Sequence, residues 1–451
     1  MYLINFESFF SPLQWQVILA ITDIARDLNL RAFAVGGIVR DAILNQQKEQ
    51  DRQHPFPKDL DLVFDGAFES GITGAGIKVA IALHQLFPET KLQVHEKFQT
   101  AEIHWQASAN HHEFAIDLAT ARREVYAYAG ANPQVEATTI DQDLYRRDFT
   151  INALAVQLDR EQGTKGEVID QFDGLGDLAY RQVRAIRQGS FVEDPRRLFR
   201  VVRFAIRLDL AIAIETSADI IATTSSGIHD AIGGARLRSE LLYTLAEPKS
   251  AQMFAVLQEL DILRCIDPTL RLPQNLANSF KHQWRRSQYW LNCLKRQHQE
   301  SYEAISSLTL GLELLLSYVS PAIAIQIDLG LTPEQKNRFT KLSELVENAP
   351  KLLKDLSKVS EISQYFQKFD TQTLIIAAMK LDMTERRSIW NYLTQWQMIK
   401  SPLTGSDLKN LGYPSGKQMG EILQNLRSAQ LDGVISDRES AIVYLNRHFK
   451  Q

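Results

Sequence analysis

The chain opens on apolar residues at helical spacing. Trp15, Ile18, Leu19, Ile21 and Ala25 mark one buried face, so residues 1–30 read as a helix. Residues 31–35 (RAFAV) read as a strand that runs into Gly36-Gly37 and a second helix through Val39, Ile43 and Leu44. Residues 45–57 are polar and end in two prolines, which predicts a loop. Residues 59–64 (DLDLVF) alternate as a strand, the Gly-rich run 66–76 reads as a mobile loop, and 77–86 as a helix. Residues 91–98, 102–106 and 113–119 alternate again and predict a strand meander. From about Asp143 helical periods dominate to the end, with breaks near Pro268–Pro273, Pro350 and Ser401–Pro402. The pattern therefore predicts an α/β head of about 180 residues before an all-helical remainder.

Composition narrows this further. The 451 residues are 45% hydrophobic and 23% charged, which fits a globular chain of several domains and excludes collagen-like and wholly disordered classes. The most apolar stretch, 308–327, is interrupted by Glu313 and Pro321, so no membrane span is expected. No basic segment precedes an apolar run at the N-terminus, and a cytoplasmic location is expected. Cys265 and Cys293 lie in no metal-like spacing and read as apolar fillers of a reducing compartment, with a disulfide left open. The net charge of −4 means that any nucleic-acid contact must come from local patches. One such patch is 281–298, where Lys and Arg interleave with Trp284, Tyr289 and Trp290. Its cations suit RNA phosphates, whereas its aromatics suit the buried face of an amphipathic helix better than base stacking.

Candidate chemistry begins at DLDLVF. Asp59 and Asp61 share one strand face, about 6–7 Å apart, and paired carboxylates hold hard divalent cations. Alone, this motif is also an ordinary solvated strand. The preceding AFAVGGIVRDAIL adds a glycine turn and a helix N-terminus suited to phosphate, with Arg40 in the first helical turn. Asp117 alternates with Ile116 and Leu118 on a predicted strand and is a candidate third carboxylate. In DLYRRDFTINALA, Asp148 reads as the cap of a helix that turns Ile151, Leu154 and Ala155 inward, behind Arg146 and Arg147. In EDPRRLFRVVRFAIRLDL, Asp194 suits an N-cap and Pro195 the first helical position. Arg197, Arg200, Arg203 and Arg207 then share one face, opposite Leu198, Val201, Val202 and Ala205. With few local acids, such a stripe calls for an anionic partner.

Taken together, these segments resemble the class II tRNA nucleotidyltransferase/poly(A) polymerase family. The resemblance rests on Gly36-Gly37-Ile38-Val39-Arg40-Asp41, Asp59-Leu60-Asp61, Arg146 through Ala153 and Glu193 through Phe204, and covers about residues 30–245. The tail 403–426 is also similar to that family's C-terminal helices. The resemblance implies an α+β, polymerase-beta-like nucleotidyltransferase head over 1–180, then an all-α neck (181–268), body (269–400) and tail (401–451). It further implies that Asp59 and Asp61 carry Mg²⁺. Gly37, Arg40 and Arg147 would contact the incoming nucleotide, Asp194 and Arg197 would read its base edge, and Arg200 and Arg203 would complete the pocket. Asp194 thus has two assignments, helix cap and base reader.

The implied activity is addition of CMP and/or AMP from CTP or ATP to the tRNA 3′ end, with release of pyrophosphate. A bacterial-type poly(A) polymerase is the alternative, on the segment GGARLRSELL (233–242). A non-catalytic RNA-binding protein is a third reading, opposed by the intact Asp59 and Asp61. His229-Asp230 is an isolated pair and makes no phosphohydrolase signature.

Overall fold

Eight strands of the described residues form one mixed sheet in the N-terminal part of the chain. The computed structural model describes residues 2–5, 7–46, 56–107, 112–128, 130–131, 133–159, 165–227, 232–273 and 279–449. The predicted 45–57 loop lies largely outside these residues, as do His229 and Asp230. Two compact units result: residues 1–233 with 259–262, and residues 234–258 with 263–451.

In the first unit the chain runs β1 (Leu3–Asn5), α1 (Pro12–Asp27), β2 (Arg31–Val35), α2 (Gly37–Gln46), β3 (Asp59–Asp65), α3 (Ala67–Ser70) and α4 (Ala75–Leu86). It continues through β4 (Lys91–His95), β5 (Thr100–Trp105), β6 (Phe114–Thr120), the ribbon β7 (Arg122–Val125) and β8 (Gln134–Ala137), α5 (Ile140–Tyr145), β9 (Leu154–Leu158) and β10 (Lys165–Asp170). The sheet order is β1-β10-β9-β2-β3-β6-β5-β4, and within it only β3 and β6 pair in parallel. The predicted 1–30 helix is shorter than its pattern suggests. Ser11 caps α1 with a capping box to Gln14, and Leu3–Asn5 instead pairs with β10 as an edge strand. The Gly-rich run after β3 is not simply a loop: α3 forms there between Gly66 and Gly71, both at positive φ.

A second difference falls at 150–158. The predicted helix behind Asp148 is a short 3₁₀ turn (Thr150–Asn152) followed by β9. Leu154, Ala155 and Val156 are each fully buried, because β9 is an inner strand with β10 and β2 on either side. A contiguous apolar run carries no period that separates such a strand from a helix. Phe33, Val35, Val63, Ile140, Leu144, Ala153 and Ala155 form one core cluster beside the strand ends that carry the candidate acids. Helices α1 and α4 cover the opposite face.

After the sheet come α6 (Gly174–Ala179), α7 (Ser190–Glu193), α8 (Arg197–Leu208) and α9 (Ile214–Ser225). Helix α8 begins later than Asp194-Pro195 suggests. The Asp194 carbonyl accepts from Arg197 N and the Pro195 carbonyl from Leu198 N, so a tight turn precedes the helix.

The second unit is helical in its described residues and includes α10 (Gly234–Ala246), α11 (Ser250–Glu259, whose last residue belongs to the first unit) and α12 (Phe280–Gln297). Pro350 does not break the chain as predicted. It lies inside the helix Pro333–Asp355, which the buried Phe339, Leu342, Leu345 and Ala349 hold in place. The apolar stretch 308–327 divides into Ser307–Leu316 and Pro321–Gln326, and no described helix is long and apolar enough to cross a membrane. Neither Cys265 nor Cys293 is in a disulfide. The last helices (Gly405–Asn410, Lys417–Leu431 and Arg438–His448) share a core of Leu408, Ile422, Leu426 and Leu445.

Candidate active site

Strand register assembles the acids. Asp61 on β3 stands beside Asp117 on β6, and Glu102 on β5 stands beside Asp117 on its other side. Asp59 lies on the same face as Asp61, at the strand end. Asp61 and Asp117 are joined by a side-chain hydrogen bond. Burial raises the Asp61 carboxyl above its ordinary value; Arg147 opposes this and Asp59 adds to it. Asp117 is pushed up to about 7, by burial first and then by Asp61, Glu102 and Asp59, with His104 opposing. His104 Nε2 sits 3.1 Å from Glu102 Oε2. Glu102 was legible only through the cross-strand register, which the alternation of 102–106 and 113–119 does not give by itself.

The glycine turn meets this acid face. Gly36 has φ +73°, and its N–H donates to Leu154 O at 2.9 Å. A Cβ at Gly36 would stand 2.9 Å from Arg147 Nη1 and 3.9 Å from Asp61 Oδ2. The turn, the guanidinium and the carboxylate therefore converge on one bare backbone position. Gly37, the residue singled out by sequence, is the first residue of α2 and keeps an ordinary φ.

Arg40 is buried, with Nη1 on Asn152 Oδ1 at 2.5 Å and Nε on Asp41 Oδ1 at 2.8 Å. Asn152 Nδ2 donates in turn to Asp148 Oδ1 at 3.1 Å, and Asp148 Oδ2 accepts from Arg200 Nε at 2.7 Å. Arg40 and Arg200 both lie over the Phe204 ring, at 5.3 and 5.4 Å. Arg40, Asn152, Asp148, Arg200 and Phe204 thus close a ring of contacts. Burial alone would raise the Asp148 carboxyl, but Arg200, Arg197 and Asn152 outweigh it and hold the group below the usual range. Asp148 therefore caps no helix: it is the buried counter-ion of the arginine stripe, recruited from another part of the chain.

A second buried acid, Asp143, fixes the arginine pair. Its Oδ1 accepts from Arg146 Nη2 at 2.7 Å and its Oδ2 from Arg147 Nη2 at 3.0 Å. Arg147 Nε is buried with no hydrogen-bond partner among the described residues. Arg197 is also buried; its Nη2 donates to the Arg146 carbonyl at 2.7 Å and its Nη1 to the Ser190 carbonyl at 3.4 Å. Asp194 grips Arg196 through its N–H, Nε and Nη2, at 3.2, 2.8 and 2.7 Å. Burial pushes Asp194 upward, and Arg196 more than reverses this. Arg203 is buried further along α8. Sequence reasoning gave no role at the site to Asp143, Asn152 or Arg196. Asn152 lay inside a quoted motif, but its partners Arg40 and Asp148 come together only through the fold.

Residues 32–184 match the poly A polymerase head domain. Over 431 residues the chain is 31% identical to an A-adding tRNA nucleotidyltransferase of Geobacter sulfurreducens. The head of the chain, residues 32–184, belongs to the poly A polymerase head domain family. That alignment covers 92% of this chain but 44% of the Geobacter protein, so the chain spans under half the length of that relative. An A-adding tRNA nucleotidyltransferase of Halalkalibacterium halodurans is 26% identical over 442 residues, 96% of this chain and 92% of that one. Among solved structures, an apo CCA-adding enzyme covers 99% of both chains with TM-score 0.79 and 24% identity. A Thermotoga maritima CCA-adding enzyme complexed with tRNA covers 100% of both with TM-score 0.76 and 22% identity. These two share the fold. Nucleotidyltransferases of this kind generally use a divalent cation; among the described residues no three His, Cys, Asp or Glu side chains are grouped as a metal centre. Asp59, Asp61 and Asp117 offer hard carboxylate oxygens, and the raised Asp61 and Asp117 carboxyls mark buried, crowded negative charge that a cation would relieve.

Proposed function

We propose that this chain transfers CMP and/or AMP from CTP or ATP to the 3′ end of tRNA without a nucleic-acid template, releasing pyrophosphate. The observation that carries this is the convergence of Gly36, Arg147 and Asp61 beside Asp117. In this reading Asp59 and Asp61, with Asp117 beside them, hold Mg²⁺, which supplies positive charge to the 3′-hydroxyl and the triphosphate. Arg147 offers its spare Nε to the triphosphate, and the N-terminus of α2 at Gly37 offers backbone N–H groups. Arg40 holds the turn from behind through Asn152 and Phe204. Arg197 and Asp194 present a guanidinium and a carboxylate to the base edge, with Arg200 and Arg203 closing the pocket. Asp194 shares its oxygens with Arg196, so reading a base requires Arg196 to yield one of them.

The narrower form of the proposal is addition of the terminal AMP. The relatives that align over most of this chain, from Geobacter and Halalkalibacterium, are A-adding enzymes. The reaction belongs in the cytoplasm, where tRNA is matured, and the division of the helical part into neck, body and tail is part of the same reading. The test is incubation of the purified protein with tRNA, labelled nucleotides and Mg²⁺. Incorporation limited to the 3′ terminus, with one pyrophosphate per nucleotide, supports the proposal. Labelled product that survives Asp61→Ala, or none from the unaltered protein, overturns it.

A further inference from the structure

The ribbon β7–β8 follows β6, the strand of Asp117, and its tip is fastened to the residue before Asp194: Gly130 N donates to the Glu193 carbonyl at 3.1 Å. Side chains alternate along β7. Arg123 and Val125 are exposed, Arg122 and Glu124 are half-buried, and Tyr126 continues the half-buried face. On that face Tyr126 Oη donates to Glu124 Oε2 at 2.7 Å, and Arg146 Nη1 donates to Glu124 Oε1 at 2.8 Å. The Arg146 carbonyl in turn accepts from Arg197 Nη2 at 2.7 Å. The phenol and the Arg197 guanidinium are thus the two ends of one hydrogen-bonded path through Glu124 and Arg146.

The Glu124 side chain is only 11% exposed, and Arg122 Nη2 adds a second positive charge 3.7 Å from its Oε1. Hydrogen bonds to a carboxylate so placed are strong, and water replaces them poorly. Filling the space beside Glu124 needs only a phenyl ring. The hydroxyl adds a donor that holds the carboxylate in one orientation. Burial first, and then the Glu124 charge and hydrogen bond, push the Tyr126 phenol above the usual tyrosine range, so it stays a neutral donor. Asp194 adds to this and Arg197 opposes it, which puts Tyr126 within electrostatic reach of both base-edge residues. Asp143 also grips Arg146, at Nη2, and retains it when the phenol is removed. Loss of the hydroxyl therefore costs alignment rather than the fold.

We propose that Tyr126 is a positioning residue for nucleotide choice: through Glu124 and Arg146 it fixes the carbonyl that holds Arg197, and so the place of the Arg197 guanidinium at the base edge. This rests on the reading of Arg197 and Asp194 as the groups that face the base. Recognition of a base edge requires groups held to within about 0.5 Å by their supporting contacts. The Arg146 carbonyl is such a support, and Glu124 anchors the side chain of the same residue. In the same reading the triphosphate is met by Arg147 and the α2 N-terminus. The path from Tyr126 therefore bears on which base is chosen and little on how tightly a triphosphate binds.

The experiment compares the full chain with Tyr126→Phe, with Arg197→Gln, with the double variant, and with Tyr128→Phe, a 74% exposed tyrosine of the same loop. Two readouts are taken with Mg²⁺ present: competition of ATP, CTP, GTP, UTP and inorganic triphosphate against a fluorescent ATP analogue, and kcat/KM for each nucleotide in tRNA extension. Tyr126→Phe is expected to narrow the preference for the cognate nucleotide over GTP and UTP roughly three- to tenfold, a coupling of the size found within one hydrogen-bond network. Its affinity for inorganic triphosphate stays within about twofold, and its melting temperature within about 4 °C. In the Arg197→Gln background the loss of the phenol changes the preference no further, because the group it positions is gone. Tyr128→Phe matches the unaltered protein. An unchanged preference in Tyr126→Phe overturns the proposal, as do additive effects in the double variant. An equal loss for all four nucleotides does the same, since it marks a merely structural role, and so does an unaltered protein that binds all four alike. A binding preference that follows Tyr126, in a protein that extends no RNA, keeps the positioning role and removes the tRNA reaction.

Discussion

Asp148 and Arg200 stand 52 residues apart in sequence and meet at 2.7 Å, with the carboxylate buried and the guanidinium over Phe204. This pair ties the 146–153 segment to α8, so both arginine-bearing elements share one frame. Removing the acid leaves Asn152, Phe149 N and Arg200 without their acceptor. Asp148→Ala is expected to cost about 3–5 kcal/mol, read as a lower urea midpoint. Arg200→Ala, whose side chain is 39% exposed, costs less. The folded-state pKa of Asp148 lies below its unfolded value, so its stabilisation is complete above about pH 4 and is lost as pH falls through the folded value. The urea midpoint should therefore fall below pH 4 in the unaltered protein and change less in Asp148→Ala.

Asp117 has the opposite sign. Its folded-state pKa, about 7, exceeds the unfolded value, so between about pH 4 and 7 the folded state holds a proton that the unfolded state gives up. Metal-free protein should therefore lose stability as pH rises across that window, and Mg²⁺ should restore it above pH 7 by replacing the proton. Thermal melting at pH 5 and pH 8, with and without Mg²⁺, checks this. Asp117→Asn should reduce the metal-free pH slope, leaving the part that the raised Asp61 carboxyl contributes, and should reduce the gain from Mg²⁺.

Gly36 and Gly37 should respond differently to alanine. Gly36→Ala places a Cβ at φ +73° and 2.9 Å from Arg147 Nη1, which displaces the guanidinium. The left-handed backbone alone costs about 1–2 kcal/mol, and transfer activity should fall at least tenfold. At Gly37 the φ is ordinary and the nearest atom is Arg40 Nη2 at 3.4 Å. Gly37→Ala should therefore melt near the unaltered protein and keep more of its activity. Equal losses in the two variants would contradict the geometry.

Base choice should follow Arg197 and Asp194. Arg197 is held by the carbonyls of Arg146 and Ser190, a fixed donor position that Gln cannot reproduce. Arg197→Gln and Asp194→Asn should admit GTP or UTP at least tenfold more readily relative to the cognate nucleotide, while triphosphate affinity changes less than threefold. Competition assays with all four nucleotides measure both.

Asp59 and Asp61 were legible as a pair because strand alternation alone puts them on one face. That Asp117 lies beside Asp61 was not, since a local pattern does not encode the parallel pairing of β3 with β6. The same limit hid β1, whose partner β10 lies some 160 residues away, and the Asp148–Arg200 pair. Leu154–Leu158 was misread for another reason: a strand buried on both sides loses its period of two. The arginine stripe of α8 was correct as a pattern but incomplete as chemistry. Its counter-charge comes from Asp148, and Arg197 spends its donors on carbonyls rather than on solvent.

The most direct measurement uses three tRNA transcripts, ending at the discriminator base, at C and at CC, each given CTP, ATP or both with Mg²⁺. Products are resolved at single-nucleotide length. The account predicts one to three untemplated nucleotides at the 3′ end and then a stop; in its narrower form, a single AMP on the CC end. Long A tracts on any RNA, or no extension of any transcript, would contradict it.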